Sequence, residues 1–170
     1  MSPETLVTGN YMKLDVVTML KDTPIDIPER CTITPNGALY RTDKRGFLPE
    51  MMQDMYNDRT IYKKKMLQAK QDYVDTKDPK YQKYISRYHN IQMARKISLN
   101  SAYGAIGNQY FRYYELAIAE GITTAGQLSI RWVEKKVNQY LNKLLGTNDD
   151  YVIASDTDSI YVTFDALVDK

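Results

Sequence analysis

Apolar residues recur at helical spacing through the middle of the chain and predict its longest elements. They fall in two runs, at Leu48, Met52, Met55, Tyr62, Met66, Ala69 and Tyr73, and at Tyr81, Tyr84, Ile85, Tyr88, Ile91 and Leu99. Pro49 and Glu50 suit the start of the first helix, in which Arg59 occupies a polar position of the stripe. Asp78 and Pro79 suit the start of the second. Two amphipathic helices joined by a short loop fold back as an antiparallel hairpin.

The C-terminal portion combines a third amphipathic helix with a short β-hairpin. Residues 124–145 carry an apolar stripe, and Gly146 ends that helix. The stripe consists of Leu128, Trp132, Val133, Val137, Tyr140, Leu141 and Leu144. Next, β-rich runs at 151–153 and 160–164 flank the polar stretch 155–159, a pattern typical of two strands and a tight turn. We expect the helix to cover this sheet, with Trp132 in the core.

The first 47 residues form the least regular part of the sequence. Four prolines exclude a long helix there, apart from a short one around residues 14–20. Residues 31–34 and 38–40 flank Asn36-Gly37, a dipeptide that favours the turn of a β-hairpin. The elements together predict an α+β fold.

Composition restricts the class of protein. The 170 residues are 43% hydrophobic and 26% charged, and Cys31 is the single cysteine, which excludes disulfides and suits a reducing compartment. No apolar run is long enough to span a membrane, and the N-terminus lacks the layout of a secretory signal. Fifteen tyrosines suit half-wet surfaces and base stacking, and they suit a packed core as well.

Positive charge is concentrated in the predicted helical hairpin. Residues 59–96 contain eleven Lys and Arg against three Asp, a net charge of +8 in a chain whose total is +2. A nucleic-acid or polyphosphate partner would explain this segment, and a solvated helix face explains it equally well.

An acidic turn is the first candidate for chemistry. Asp156 and Asp158 lie at the tip of the predicted β-hairpin. A hard cation such as Mg²⁺ relieves the repulsion between two such carboxylates and assists phosphoryl transfer. An ordinary acidic turn is the alternative.

A basic cluster at the base of the helical hairpin is the second candidate. Arg59 and Lys63 are one turn apart on the first helix, and Lys96 and Asn100 are one turn apart on the second. Counted from a turn near Pro79, Lys63 lies level with Lys96, and Arg59 with Asn100. Three cations and an amide suit a triphosphate, whereas separate surface charges with packed stems are the alternative.

Two stretches resemble motifs of the family B DNA polymerases. Residues 96–104, KISLNSAYG, resemble the Lys-x-x-x-Asn-Ser-x-Tyr-Gly motif of the fingers, and DTDS at 156–159 resembles the palm motif Tyr-Gly-Asp-Thr-Asp-Ser. Both occur in family order. Residues 2–5, 108–114 and 122–127 look most like the replicative polymerases of T-even-type bacteriophages, so the resemblance covers essentially the whole chain.

The resemblance implies a nucleotide-binding role for five residues, Arg59, Lys63, Lys96, Asn100 and Tyr103, and a position at the nascent base pair for Tyr103 and Gly104. The cations and Asn100 would bind the incoming dNTP. Tyr103 would pack against the nascent base pair, and Gly104 would allow close approach.

The resemblance also implies a two-metal site and an architecture. Asp158 would be a principal Mg²⁺ ligand and Asp156 its companion, completed by a carboxylate outside this chain. The implied domains are a palm-proximal segment with a short hairpin (1–47), an antiparallel two-helix fingers hairpin (48–103), and a palm segment with the long helix and the DTDS hairpin (104–170).

Departures from the family pattern limit what the chain can do alone. Ala154 and Ser155 replace the usual Tyr-Gly, and the fingers hairpin is shorter than in the phage enzymes. The motif Asp-x-x-Ser-Leu-Tyr-Pro-Ser, which carries another catalytic carboxylate, is absent, as are the primer-binding motif, thumb and exonuclease region. We therefore expect a split, truncated or fragmentary polymerase that is inactive by itself.

The expected partners follow from the same resemblance. They are primer–template DNA, dNTPs, an upstream polymerase segment carrying the first catalytic aspartate, a downstream thumb and, through the full enzyme, a sliding clamp. No membrane partner is expected, and the expected location is the cytoplasm of an infected bacterium. The alternatives are a nucleic-acid-binding module without catalysis, and a metal-dependent phosphatase or nuclease, which residues 96–104 do not support.

Overall fold

The computed structural model describes residues 1–168, which form two compact units. Unit 1 joins Met1–Thr5 to Lys44–Leu116, and unit 2 joins Leu6–Asp43 to the chain from Ala117 onward. Each unit is therefore discontinuous in sequence. Long helices accompany two small antiparallel sheets, which confirms the predicted mixture of helix and sheet.

Helices and strands alternate irregularly along the chain. After a 3₁₀ turn at Pro3–Thr5 come β1 (Leu6–Thr8), α1 (Val16–Met19), β2 (Cys31–Ile33), β3 (Leu39–Arg41), α2 (Phe47–Thr76), α3 (Lys80–Ile106), α4 (Leu116–Leu145), β4 (Val152–Asp156), β5 (Ser159–Val162) and α5 (Asp165–Val168).

Helices α2 and α3 form the predicted helical hairpin in unit 1. After Thr76, Lys77 takes the left-handed conformation (φ 57°), and its N–H donates to the Tyr73 carbonyl at 2.9 Å. Asp78 accepts a hydrogen bond from the Lys80 amide at 2.9 Å, so its carboxylate satisfies a free donor at the start of α3. This bond is the main reason that the pKa of Asp78 lies below its ordinary value.

The N-terminal residues of unit 1 hold the start of α2. Glu4 accepts hydrogen bonds from the Ser2 hydroxyl and the Phe47 N–H. Burial raises the pKa of Glu4, but the hydrogen bonds outweigh burial and leave this pKa below its ordinary value. Gly46 is required beside them, because a Cβ there would lie 2.3 Å from the Ser2 Cβ.

Strands β1, β3 and β2 form an antiparallel sheet in that order in unit 2. β2 and β3 are the hairpin predicted around Asn36-Gly37. Gly37 has φ 81°, and a Cβ on it would lie 1.8 Å from the Met12 carbonyl oxygen. Tyr40 is buried, and the Asn36 amide donates to the Ala117 carbonyl at 2.9 Å. The sheet therefore packs against the beginning of α4.

Strands β4 and β5 form a two-stranded antiparallel sheet that is joined to the end of α4. The Tyr151 N–H donates to Asn138 Oδ1 at 2.9 Å, and Tyr151 and Leu141 are buried. Trp132 and Tyr140, however, are 46% and 68% exposed. The expectation that Trp132 lies in the core is therefore wrong, because strands of five and four residues are too short to cover the whole apolar face of a helix of 30.

Helix α4 is also longer than its apolar stripe predicts. It begins at Leu116 rather than at residue 124, and its first turns contain the buried residues Ile118 and Ala119. Within residues 1–168, none of the helices is long and apolar enough to cross a membrane.

Candidate functional site

The predicted acidic turn connects β4 to β5. Asp156 pairs with Ser159, so Thr157 and Asp158 form a two-residue loop. The Asp158 N–H donates to the Asp156 carbonyl at 2.6 Å, and the Thr157 hydroxyl donates to the Asp156 carboxylate at 2.9 Å. Thr157 has φ 49°, a left-handed conformation that is costly for a β-branched residue and persists only where the surrounding structure imposes it. The backbone that carries both aspartates is therefore strained, and the surrounding structure holds it in one conformation.

The Asp158 side of the turn lies across a cavity from α4. The cavity has a volume of about 250 Å³ and is lined by Gly126, Ser129, Ile130, Val133, Thr157, Asp158 and Ile160. The Asp158 side chain is exposed, and within residues 1–168 its carboxylate forms no ion pair. A Cβ on Gly126 would meet no atom within 4 Å, which leaves this side open. A ligand therefore has access to the Asp158 carboxylate.

Asp156 and Asp158 fit a metal site in part. Both side chains are exposed carboxylates, which are the hard oxygen ligands that Mg²⁺ prefers. In the part of the chain that the structure describes, no group of three or more His, Cys, Asp or Glu side chains is placed to hold an ion. The two aspartates therefore supply only part of a ligand set.

Contacts between α2 and α3 set the register of the helical hairpin, and this register differs from the predicted one. Asp58 forms an ion pair with Arg95 at 3.1 Å, and the Tyr62 and Tyr88 rings lie 6.2 Å apart. The two members of each pair lie equally far, in sequence, from a point a few residues before Pro79. The prediction had centred the hairpin near Pro79 itself. The two helices are thus offset along their common axis.

The offset changes which members of the basic cluster lie level with each other. Arg59 and Lys96 directly follow the two ion-paired residues, so they lie within about 3 Å of the same level. The predicted level pairs, Lys63 with Lys96 and Arg59 with Asn100, are wrong by about six residues, or roughly 9 Å along the axis. Lys63 lies nearer the tip, and Asn100 nearer the base.

The side chains of the cluster remain open to a ligand. Four of the predicted nucleotide-binding residues are exposed: Lys63, Lys96, Asn100 and Tyr103. Arg59 is half-buried, and its Nε is buried without a hydrogen-bond partner, so the guanidinium keeps unused donor capacity. A Cβ on Gly104 would meet no atom within 4 Å. The basic residues belong to unit 1 and the aspartates to unit 2.

Sequence reasoning missed two features of these sites. The first is the Asp58–Arg95 pair, although opposite charges immediately before two predicted ligands were a signal for it. The second is Gly126, which lines the cavity beside Asp158. A glycine inside a helix costs about 1 kcal/mol relative to alanine, so its presence in a predicted helix was also a signal.

A comparison with protein families identifies the chain. The sequence profile of DNA polymerase family B matches residues 1–168. The chain belongs to the family B DNA polymerases, as its two motifs predicted.

Individual relatives agree with this assignment. Over 99% of its length, the chain is 32% identical to the DNA-directed DNA polymerase of Escherichia phage RB69 and 31% identical to that of Enterobacteria phage T4. It spans 23% of the length of each phage protein. The structure of the family B DNA polymerase from the hyperthermophilic archaeon Pyrobaculum calidifontis matches with a TM-score of 0.54 and 25% identity, covering 99% of this chain and 18% of the archaeal one.

Proposed function

We propose that this chain forms the nucleotide-binding fingers and part of the palm of a DNA-directed DNA polymerase that replicates viral DNA. The observation that carries the proposal is the family match over residues 1–168. The accessible Asp158 carboxylate at a strained turn supports it. The reaction adds a dNMP to a primer 3′-hydroxyl under the direction of a template and releases pyrophosphate.

The basic cluster suits the triphosphate of the incoming nucleotide. Phosphoryl transfer needs little covalent chemistry from a protein and depends on positioned cations that stabilise charge on the phosphates. Arg59 and Lys96 lie at nearly the same level on facing helices, so they would bind the phosphates from two sides. Asn100 would extend this contact toward the base of the hairpin. Lys63 would bind less directly because it lies nearer the tip.

Residues further along α3 suit the nascent base pair. Tyr103 is 44% exposed, and its ring would pack against that pair. The open space around Gly104 would allow the pair to approach the helix closely.

Asp156 and Asp158 would hold divalent cations at the palm. When bound, such ions activate the primer hydroxyl and stabilise charge on the leaving pyrophosphate. The described residues offer two carboxylates for this purpose. A further carboxylate, from an upstream polymerase segment, would complete the ligand set.

The remaining partners follow from this role. They are primer–template DNA, the dNTPs, a downstream thumb and, through the full enzyme, a sliding clamp. The setting would be the cytoplasm of a phage-infected bacterium.

A second candidate function is a nucleotide- or nucleic-acid-binding fragment without catalysis. The incomplete ligand set favours it, as do Ala154 and Ser155 in place of the family's Tyr-Gly. The basic hairpin would then bind nucleic acid, and the acidic turn would have no catalytic role.

Primer extension by a polymerase reconstituted from this chain and the missing segments separates the two functions. We expect Asp158→Asn to reduce incorporation by about 10³-fold or more, because it removes a ligand of the cations that stabilise transition-state charge, and to leave primer–template binding nearly intact, because it removes no phosphate contact. Asp156→Asn should be less damaging. Asp165→Asn, an exposed aspartate beyond β5, is the matched control and should extend normally. Near-normal extension by Asp158→Asn would favour the non-catalytic function.

A further inference from the structure

A groove lies nearer the tip of the helical hairpin than the Arg59–Lys96 cluster. It has a volume of about 220 Å³ and is lined by Lys65, Gln68, Ala69, Asp72, Tyr81, Tyr84 and Tyr88. We call it the tyrosine groove. Its tyrosines precede Lys96 by eight residues or more, which places them roughly 12 Å or more nearer the tip. It is therefore separate from the proposed triphosphate site.

The tyrosines of the groove form a continuous row of rings. Tyr81 meets Tyr84 edge to face at 6.3 Å, and Tyr84 stacks on Tyr88 at 6.2 Å with 17° between the ring planes. Tyr88 in turn lies 6.2 Å from Tyr62 on α2. Spacings of three and four residues place the α3 rings on one helix face. Because Tyr84 is 44% exposed, the row presents ring surface to solvent instead of forming a closed core.

Cations flank the row at both ends. Lys65 Nζ lies 5.4 Å from the centre of the Tyr62 ring. Lys80 Nζ lies 5.0 Å from the centre of the Tyr81 ring and also pairs with Asp78 at 2.9 Å. Among residues 1–168, seven further cations of the hairpin are exposed and form no ion pair: Lys63, Lys64, Lys70, Lys77, Lys83, Arg87 and Lys96.

The lining of the groove contains one hydrogen-bonded polar pair. Gln68 Nε2 donates to Asp72 Oδ1 at 2.9 Å. The Gln68 carbonyl and the second Asp72 oxygen can accept hydrogen bonds, and the second Gln68 N–H can donate one. This pair suits the edge of a heterocyclic base, which presents donors and acceptors side by side. Asp72 is the single carboxylate in the lining and Lys65 its single cation, so the positive charge comes from the exposed cations of the hairpin around the groove.

The row of rings and the cations beside it suit a ligand that has exposed aromatic faces and regularly spaced negative charges. Proteins bind single-stranded nucleic acid through aromatic rings that stack on bases and cations that follow the phosphates. A duplex hides the faces of its bases. An acidic peptide would use the cations and leave the rings unused.

We propose that the tyrosine groove binds single-stranded DNA, with a base stacked on Tyr84 and adjacent phosphates held by the cations at the rim. The choice of DNA over RNA rests on the proposed polymerase function, in which the unpaired part of a template is such a strand. The row of stacked rings beside exposed cations carries the inference.

Two fluorescent oligonucleotides of equal charge test the groove on the full chain. One is an oligo-dT of twelve nucleotides, and the other is an abasic strand of the same length that keeps every phosphate and lacks the bases. We expect fluorescence anisotropy to show roughly tenfold tighter binding of oligo-dT, within the range of base–aromatic stacking. Tyr84→Ala should abolish this difference by weakening oligo-dT alone, and Tyr84→Phe should preserve it. Tyr140→Ala, an exposed tyrosine of unit 2, is the matched control.

Three results would overturn the proposal. The first is equal affinity of the wild-type chain for both strands, which requires no variant to fold. The second is unchanged oligo-dT binding by Tyr84→Ala with an intact helical circular dichroism spectrum. The third is that a poly-glutamate peptide displaces labelled oligo-dT as effectively as unlabelled oligo-dT does. The assay contains neither dNTP nor metal, so its failure leaves the primer-extension result for the proposed function unaffected.

Discussion

Glu4 gives the clearest pH dependence at the scale of single residues. Hydrogen bonds from Ser2 and Phe47 hold its pKa below the ordinary value of 4.5. A lowered folded-state pKa means that ionised Glu4 stabilises unit 1 fully above about pH 4.5, and that this contribution is lost as the pH falls through the folded-state pKa. We expect Glu4→Gln to lower the Tm by about 1–2 °C at pH 7, a small shift because the side chain is exposed, and to have a smaller effect as the pH falls below 4.5.

Calorimetry at pH 7 and pH 3 checks this expectation. Glu29→Gln, which changes another exposed glutamate, is the control for the loss of one negative charge. A difference in Tm between the wild-type chain and Glu4→Gln that stays constant from pH 7 to pH 3 would contradict the assigned role.

Local residue chemistry could be predicted where one side chain acts on its own neighbours. Asp78 was identified as a helix-start residue, and its carboxylate does accept the Lys80 amide. The turn at Asn36-Gly37 was predicted from the local conformational preference of that dipeptide. The left-handed φ of Thr157 could not be predicted, because threonine disfavours it and only the pairing of β4 with β5 imposes it.

The register of α2 against α3 leads to a prediction at the scale of elements. Arg59 and Lys96 lie at nearly the same level, so we expect Arg59→Ala and Lys96→Ala each to reduce kcat/KM for dNTP incorporation by about 10²- to 10³-fold. Because both would bind one triphosphate, the double variant should lose less than the product of the two effects. Lys63→Ala should have a smaller effect, since Lys63 lies nearer the tip.

Single-nucleotide incorporation by the reconstituted polymerase measures these effects. Lys143→Ala, in the last turn of α4, is the control for loss of positive charge. If Lys143→Ala matched Arg59→Ala and Lys96→Ala, general basicity would explain the result and the cluster would have no specific role.

The type of each long element could be predicted, but its alignment with neighbours could not. Apolar spacing correctly predicted the helical hairpin and the helix that contains Trp132. Spacing does not predict the axial offset that the Asp58–Arg95 pair marks, nor does it show whether an apolar stripe has a partner. Trp132 was therefore placed in a core, whereas the two-stranded sheet leaves it 46% exposed.

At the scale of the whole molecule, we expect the isolated chain not to extend a primer. Its two carboxylates form an incomplete ligand set, and a two-stranded sheet is marginal in water. Extension should appear only when an upstream segment supplies the further carboxylate. The measurement is extension of a labelled primer with Mg²⁺ and dNTPs, with and without that segment. Robust extension by the chain alone would show that Asp156 and Asp158 suffice.

Long-range organisation was the least predictable property of the molecule. The division into three consecutive segments stays a prediction, and no sequence pattern indicated that each compact unit would be discontinuous in sequence. The integrity of these units depends on contacts such as Glu4 with Phe47 and Asn36 with Ala117, which are 43 and 81 residues apart. No periodicity or turn signal encodes pairs at such distances.

The discontinuity of unit 2 in sequence also determines when its two parts are synthesised. A ribosome makes Leu6–Asp43 before the 73 residues of Lys44–Leu116, and it reaches the rest of unit 2 only after them. At about 5–20 residues per second, the intervening stretch takes roughly 4–15 s. The local contacts of the helical hairpin allow it to fold within that interval. Asn36 has no Ala117 carbonyl to bind until the interval ends. Each nascent chain therefore exposes the sheet of β1, β3 and β2 for several seconds, the period in which a ribosome-associated chaperone or a protease would encounter it.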